Sequence, residues 1–288
     1  MKSTSKRTFY PGDEWLYFKL YTGIKTADDI LIRSVFPVVK KLMREEIITK
    51  FFFLRYSDPD FHIRFRVLVK NPKDLGYILY TVNQKLQRAC KNAQIYRIQV
   101  DTYNRELERY GKDHIEFSES IFSADSECVL SILKILCKKD ENYRWMVALK
   151  MIDCLFNDFG LSLTETASYI EKMSLGFKQE YGFDIHNIKL LNKIYRQQKP
   201  NVNLILNNLQ KAPEEIRRSY PFLQKRSHKL KELIEAEQAV PLNNLSSYIH
   251  MMMNRLFPSK NRIYELVIYD FLFEYYRSEL ARERHQKH

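Results

Sequence analysis

The sequence has 288 residues, 45% of them hydrophobic and 14% aromatic, which is enough apolar material for substantial cores and excludes a disordered chain. The formal net charge of +12 is compatible with an acidic partner, RNA, an anionic membrane surface or a solvated face. No apolar run reaches the length of a membrane-spanning helix, so we predict no membrane span and a cytoplasmic location.

The cysteine and histidine pattern gives no sign of a metal site. Cys90, Cys128, Cys137 and Cys154 form no C-x-x-C pair, and the seven His are scattered along the chain. We expect the cysteines to be buried free thiols and predict neither a metal nor a disulfide framework.

The first part of the chain alternates strand and helix patterns. Aromatic and β-branched runs predict strands, whereas spacings of three and four predict helices, the first with Pro37 as a kink and the second with Asn71 as its N-cap. The predicted order is strand 15–22, helix 26–46, hairpin strands 51–58 and 62–69, helix 71–90, and strand 96–104. This β-α-β-β-α-β order is typical of a ferredoxin-like antiparallel sheet.

Helical spacing dominates the rest of the chain. Ser162 and Glu165 form a capping box, and further helices are predicted at 185–197, 223–238, 245–256 and 262–284. The fold class is therefore α+β. We predict a ferredoxin-like α+β subdomain over residues 1–115 and a mostly α-helical subdomain over 116–288, packed on it as one domain.

The segment HIRFRV contains two candidate cations. Alternation along a strand puts His62, Arg64 and Arg66 on one face, with apolar residues on the other. If that face is covered, the arginines form a fixed anion site; if it is exposed, they are merely solvated.

Two further candidates lie outside that strand. Arg109 follows the fourth strand, and Glu106, three residues earlier, is placed to orient it on a helical turn. His250 lies on a helical stripe with Ser246 and Asn254, at the edge of an apolar side. A histidine there fits either a satisfied core residue or a proton carrier.

Common catalytic and nucleotide-binding motifs are missing from the sequence. It has no G-x-G-x-x-G, Walker A, G-x-S-x-G or H-E-x-x-H, and no RNP-type motif that would support RNA binding.

Four segments taken together resemble, in order and spacing, the C-terminal domain of lantibiotic dehydratases, also found as free-standing thiopeptide-type bacteriocin biosynthesis proteins. They are WLYFKLY, RYSDPDFHIRFRV, YNRELERYG followed by HIEFSESIFSADS, and YIHMMMNRLF. The resemblance implies that Arg64, Arg66, Arg109 and His250 are the site residues. Gly111-Lys112 stands where the family usually has a glycine pair, which leaves that loop's backbone geometry open.

The resemblance also implies an activity and its partners. The chain would be the elimination component of a split dehydratase, a lyase that removes glutamate from glutamylated Ser or Thr of a ribosomal precursor peptide without a cofactor. A separate protein that uses glutamyl-tRNA would attach the glutamate, so no direct nucleic-acid contact is expected here. The basic surface would then guide an acidic leader peptide, and the sequence leaves a homodimer open.

Two other functions remain open at the level of sequence. A thiopeptide pyridine synthase, which joins two dehydroalanines, resembles the same domain but is expected to lack the elimination residues. A non-catalytic protein that binds or scaffolds the precursor peptide is the alternative from a different class.

Overall fold

The computed structural model describes residues 5–137, 142–237 and 242–286. The strands are β1 (Thr8–Phe9), β2 (Trp15–Thr22), β3 (Ile48–Ser57), β4 (Phe61–Val69), β5 (Ile95–Asp101) and β6 (Tyr103–Asn104). The helices are α1 (Ala27–Ile30), α2 (Phe36–Arg44), α3 (Leu75–Lys91), α4 (Leu107–Tyr110), α5 (Ile115–Leu136), α6 (Asn142–Asp158), α7 (Leu163–Glu180), α8 (Ile185–Asn207), α9 (Glu214–Ala236), α10 (Leu245–Leu256) and α11 (Asn261–Gln286). None of these helices is long and apolar enough to cross a membrane.

Four strands form one antiparallel sheet in the order β3-β4-β2-β5. With the helical segments between β2 and β3 and between β4 and β5, this is the predicted ferredoxin-like arrangement, and the α+β fold class is confirmed. A short antiparallel pair of β1 with β6 was not predicted, because strands of two residues leave no periodicity in the sequence.

The first helical segment changes its winding ahead of Pro37. Residues Leu31–Val35 form a π-helical stretch between α1 and α2, and Pro37 lies in the first turn of α2. A proline lacks an amide donor and its ring crowds the carbonyl four residues earlier, so a wider turn before it relieves the clash. The next segment begins as predicted, with the Asn71 side chain accepting a hydrogen bond from the Lys73 amide at 3.1 Å.

One face of the sheet is an apolar core. Ile63, Phe65 and Val67 of β4 are buried on it, as their alternation predicts. On the same face Arg55 of β3 donates to the Asp28 carboxylate of α1 at 2.6 Å, which pairs a guanidinium that burial would otherwise leave uncompensated.

The outer edge of β3 is capped by helix side chains. Ser123 and Ser126 of α5 accept from the backbone amides of Phe51 and Phe53, both at 3.3 Å. Asn254 of α10 bonds both backbone groups of Arg55, accepting from its amide and donating to its carbonyl at 2.8 Å each. These contacts replace a neighbouring strand, protect the edge and fix α10 against the sheet.

The chain divides into two compact units, residues 1–137 with 232–259 and residues 138–231 with 260–288. This differs from the predicted boundary at 115/116, because α5 and α10 pack on β3 although they lie in the helical part of the sequence. In the second unit, α11 contacts α6, α7 and α8.

The helices of the second half differ from prediction mainly in length. The Ser162–Glu165 capping box at the start of α7 is confirmed. Prolines inside the helices explain two wrong bounds. Helix α8 was predicted to end at 197 but continues through Pro200, and α9 was predicted to start at 223 but starts before Pro221. The predicted end of the latter helix at Gln238 lies outside the described residues, and α6 was not predicted.

The prediction that all four cysteines are buried was wrong. Cys128 is buried, but Cys90 is exposed, and Cys137 and Cys154 are half-buried. Cys90 lies in the last turn of α3, next to the buried Ala89 but off the buried stripe of the helix, because successive helical residues point in different directions. All four are free thiols, as expected.

The capping of β3 leads to a stability prediction. We expect Asn254→Ala to lower the free energy of unfolding by about 1–3 kcal/mol, because it leaves the amide and carbonyl of Arg55 without their partner. Urea unfolding measures this. In the matched control Asn104→Ala, which loses one exposed bond to Thr8, the change should stay within about 0.5 kcal/mol. Equal effects in the two variants would contradict this role.

Candidate functional site

The second face of the sheet carries both predicted arginines of β4. Arg64 and Arg66 point away from the apolar core, and the cross-strand partners of Arg66 are Phe52 on β3 and Tyr17 on β2. The alternation prediction therefore places the two guanidinium groups on one face. The sequence did not decide whether that face is covered or exposed. The burial of Arg66 shows that the face is covered at this residue.

Arg66 is buried among aromatic rings. Only 7% of the residue is exposed, and its Cζ lies 4.2 Å from the ring centre of Tyr17, 4.6 Å from that of Tyr103 and 5.1 Å from that of Phe52. Ring faces stabilise a cation without neutralising it. Burial lowers the pKa of the guanidinium, and its Nε atom has no hydrogen-bond partner among the described residues. Such an arrangement is suited to an incoming anion.

Arg64 is held by two neighbours. Its Cζ stacks 3.4 Å from the ring centre of Tyr56, and its Nε donates to Nε2 of His62 at 3.3 Å. The other imidazole nitrogen, Nδ1, lies 2.8 Å from the carbonyl oxygen of Asp60, which can only accept, so Nδ1 carries the proton and Nε2 is free to accept. His62 thus fixes the orientation of Arg64.

His62 is held neutral in this setting. Burial is the main reason that the pKa of its imidazole lies below the usual value. The hydrogen bond to the Asp60 carbonyl opposes that shift, and nearby cations add to it: Arg64, Lys19 and Arg97.

Arg109 lies on the short helix α4 and reaches α10. Its Nε donates to the Ser247 hydroxyl at 3.0 Å, and its Nη1 donates at 3.5 Å to the carboxylate of Glu106, the orienting residue that the sequence predicted. Glu108 faces elsewhere and pairs with Arg7. The Arg109 side chain is 41% exposed, so it remains accessible to a ligand.

His250 lies three residues after Ser247 on α10, so the two side chains are neighbours on the helix surface. The apolar side of the helix is buried at Ile249, Met252 and Met253, as the stripe predicted, and His250 at its edge is half-buried. Asn254, one turn later, holds the helix on β3. Arg109 therefore contacts α10 about one turn before His250.

Two intermediate residues connect the predicted groups. Ser247 connects Arg109 with the turn that carries His250. Glu106 contacts Arg109, and it is also one of the groups, after Tyr103 and Tyr17, that oppose the lowering of the Arg66 pKa by burial. Sequence reasoning singled out Ser246 and missed Ser247, although the spacing of three from His250 was a usable signal.

The loop after Arg109 contains a residue in a glycine conformation. Gly111 has φ of +81°, which side chains rarely adopt, and it ends α4. The first glycine of the expected pair is thus required by the backbone, and the structure accommodates Lys112 in the turn that follows.

The neutral state of His62 gives a pH prediction. Because the pKa of His62 is lowered in the folded state, this imidazole binds fewer protons in the folded than in the unfolded chain near and below about pH 6.5. The free energy of unfolding should therefore fall as the pH drops through that value. We expect His62→Gln to lose this part of the pH dependence, measured by urea unfolding between about pH 5 and 8. The exposed His186→Gln on α8 should keep it. Parallel pH profiles for wild type and His62→Gln would refute a buried neutral imidazole.

Comparison with known proteins gives a consistent assignment. A family model described as lantibiotic biosynthesis dehydratase C-term matches residues 15–276. The nisin biosynthesis protein NisB of Lactococcus lactis subsp. lactis is 36% identical over 146 residues, 50% of this chain and 14% of that protein. The subtilin biosynthesis protein SpaB of Bacillus subtilis is 24% identical over 297 residues, 99% of this chain and 27% of that protein. The chain thus spans a minor part of these relatives.

Solved structures share the fold at low sequence identity. The tRNA dependent lantibiotic dehydratase MibB from Microbispora sp. 107891 matches with a TM-score of 0.73 and 22% identity, over 95% of this chain and 29% of that chain. The pyridine synthase TbtD from thiomuracin biosynthesis matches with a TM-score of 0.63 and 10% identity, over 92% of this chain and 99% of that chain. Because the family model covers nearly the whole chain, the protein belongs to the lantibiotic dehydratase C-terminal family.

Proposed function

We propose that this protein removes glutamate from glutamylated Ser or Thr residues of a ribosomally made precursor peptide, giving dehydroalanine or dehydrobutyrine. The observation that carries the proposal is the pair of cations on one sheet face. Arg66 is buried there with an Nε donor that has no acceptor in the described part of the chain, and Arg64 is oriented by His62. Family membership supports the dehydratase setting of this chemistry.

The reaction is a β-elimination that creates two anions. A base takes the α-proton of the modified residue, a double bond forms between its α and β carbons, and the carbon–oxygen bond to glutamate breaks. Negative charge builds on the neighbouring carbonyl oxygen, and glutamate leaves as a carboxylate. Fixed cationic donors placed where such charge develops lower the barrier by a few kcal/mol each.

The candidate residues suit these steps. Arginine stays charged at any working pH and holds carboxylates through paired N–H donors, so Arg64, Arg66 and Arg109 are assigned to the glutamyl group and the developing enolate. His250 is assigned to proton transfer, because imidazole exchanges protons near neutral pH.

The substrate must carry glutamate before it reaches this site. We assign that step to a separate glutamylating protein that uses glutamyl-tRNA, so that tRNA contacts the partner and not this chain. Pyridine synthases share the fold, and fold alone does not separate the two reactions. The match of residues 15–276 to the dehydratase family model favours elimination.

An activity assay tests the proposal. The purified protein is given a glutamylated precursor peptide, and mass spectrometry follows the loss of glutamate. We expect product with wild type, and at least a hundredfold slower turnover with Arg109→Ala or His250→Ala because each removes a transition-state contact. Peptide binding is measured alongside, so that a lost reaction is distinguished from lost affinity.

The matched control is Arg44→Ala, which removes an exposed arginine at the end of α2 and should leave turnover unchanged. Unchanged turnover in both Arg109→Ala and His250→Ala would discard the site. A cycloaddition product from a peptide with two dehydroalanines, without glutamate loss, would assign pyridine synthesis instead. Binding without either product would assign a scaffold role.

The net charge gives a separate prediction about the peptide. If the +12 charge guides an acidic leader, affinity should fall as salt rises from about 0.1 M to about 1 M, which shortens the Debye length from about 10 Å to about 3 Å. Fluorescence anisotropy with the leader peptide measures this, and a leader with Asn and Gln in place of its acids is the control. Salt-insensitive affinity would contradict electrostatic guidance.

A further inference from the structure

Lys19 lies directly opposite Arg64 on the second face of the sheet. The register pairs these residues between β2 and β4, and both side chains point to the same face as Arg66. The outward amides of β3 belong to Phe51 and Phe53, so by alternation Lys19 and Arg64 form a pair whose backbones do not bond each other. Side chains approach most closely at such pairs.

Like charges at directly opposed positions destabilise a sheet. In this structure the repulsion is partly offset by Asp101 of β5, whose carboxylate forms an ion pair with Lys19. The same face holds further positive charge, because Arg66 lies diagonally from Lys19 and Arg97 stacks on Tyr21 with its Cζ 3.7 Å from the ring centre. The described strand residues around Lys19 therefore carry an excess of positive charge.

The Lys19–Asp101 pair is partly shielded and fully ionised. The side chains are 20% and 32% exposed. Burial alone would raise the pKa of the Asp101 carboxyl, but hydrogen bonds from Lys19 and the Thr102 amide bring it below its usual value. Partial burial opposes the charged form of Lys19, yet the bond to Asp101 leaves its pKa raised. The face thus offers a fixed cation and a fixed anion side by side.

A glutamyl ester carries the complementary charges. Whichever of its carboxyl groups forms the ester, the glutamyl group keeps one free carboxylate and one ammonium. We infer that Lys19 and Asp101 form the subsite that recognises this zwitterion, with Lys19 and Arg64 holding the free carboxylate and Asp101 accepting the ammonium. This inference rests on the proposed function, and it names Lys19 and Asp101 as the residues that make the elimination reaction specific for a glutamyl leaving group.

The geometry suits this exchange of partners. Neighbouring strands lie about 4.8 Å apart, so Asp101 on β5, Lys19 on β2 and Arg64 on β4 span the face in adjacent steps. On binding, Lys19 and Asp101 each form a new ion pair with the ligand. These two pairs replace the ionic interaction that is lost when Lys19 and Asp101 separate. A leaving group with only one of the two charges would leave one protein charge without its ligand partner.

The experiment compares three leaving groups on the same peptide Ser: glutamyl, glutaryl, which lacks the ammonium, and alanyl, which lacks the free carboxylate. Wild type should eliminate the glutamyl ester at least about tenfold faster than either analogue, as expected for charge-assisted contacts. Asp101→Asn should remove the preference over the glutaryl ester. Lys19→Gln should reduce the preference over the alanyl ester, because Arg64 alone then holds the free carboxylate.

Rate ratios between esters within one variant do not depend on the folded fraction, so destabilisation of either variant leaves the test valid. The matched controls are Lys70→Gln and Glu46→Gln, which break an exposed ion pair elsewhere in the same unit and should keep both preferences. Equal rates for all three esters in wild type, or unchanged preferences in both site variants, would overturn the inference while leaving the elimination activity intact. Failure of wild type to act on the glutamyl ester would instead refute the proposed function.

Discussion

Burial of a guanidinium group without a carboxylate partner is the constraint around which this site is organised. Removing a charge from water costs several kcal/mol unless other groups stabilise it. At Arg66 the stabilisation comes from ring faces of Tyr17, Phe52 and Tyr103, which do not neutralise the charge, and no described residue accepts a hydrogen bond from its Nε. An anion bound to Arg66 would offset the free energy lost by burying its charge. The same interaction would therefore provide both affinity for the anion and selectivity for its charge.

Other contacts within the same unit fix the remaining candidate groups. Asn254 takes the place of a neighbouring strand at the edge of β3, and this fixes the helix whose preceding turns carry His250 and Ser247. Arg109 then bonds Ser247. The position of His250 therefore depends on how the edge of β3 is capped, although the bonded residues Arg55 and Asn254 are 199 residues apart in the sequence.

Sequence periodicity was sufficient for the parts of the site that depend on one element. Alternation placed Arg64 and Arg66 on one face, and the helical stripe placed His250 beside a buried apolar side. Periodicity could not show that Arg66 is buried, because its three aromatic neighbours come from separate strands. Nor could periodicity show the division into units, because α10 packs on β3 of the first unit although residues 138–231, which precede it, form part of the second.

The most direct test of the account concerns the Nε donor of Arg66. A peptide with an amide in place of the glutamyl ester cannot lose glutamate, so it forms a stable complex whose arginine Nε–H signals can be followed by NMR. The account predicts that saturating peptide shifts the Arg66 signal and slows its exchange with water, because a ligand anion now accepts from Nε. An Arg66 signal unchanged at saturation would contradict it.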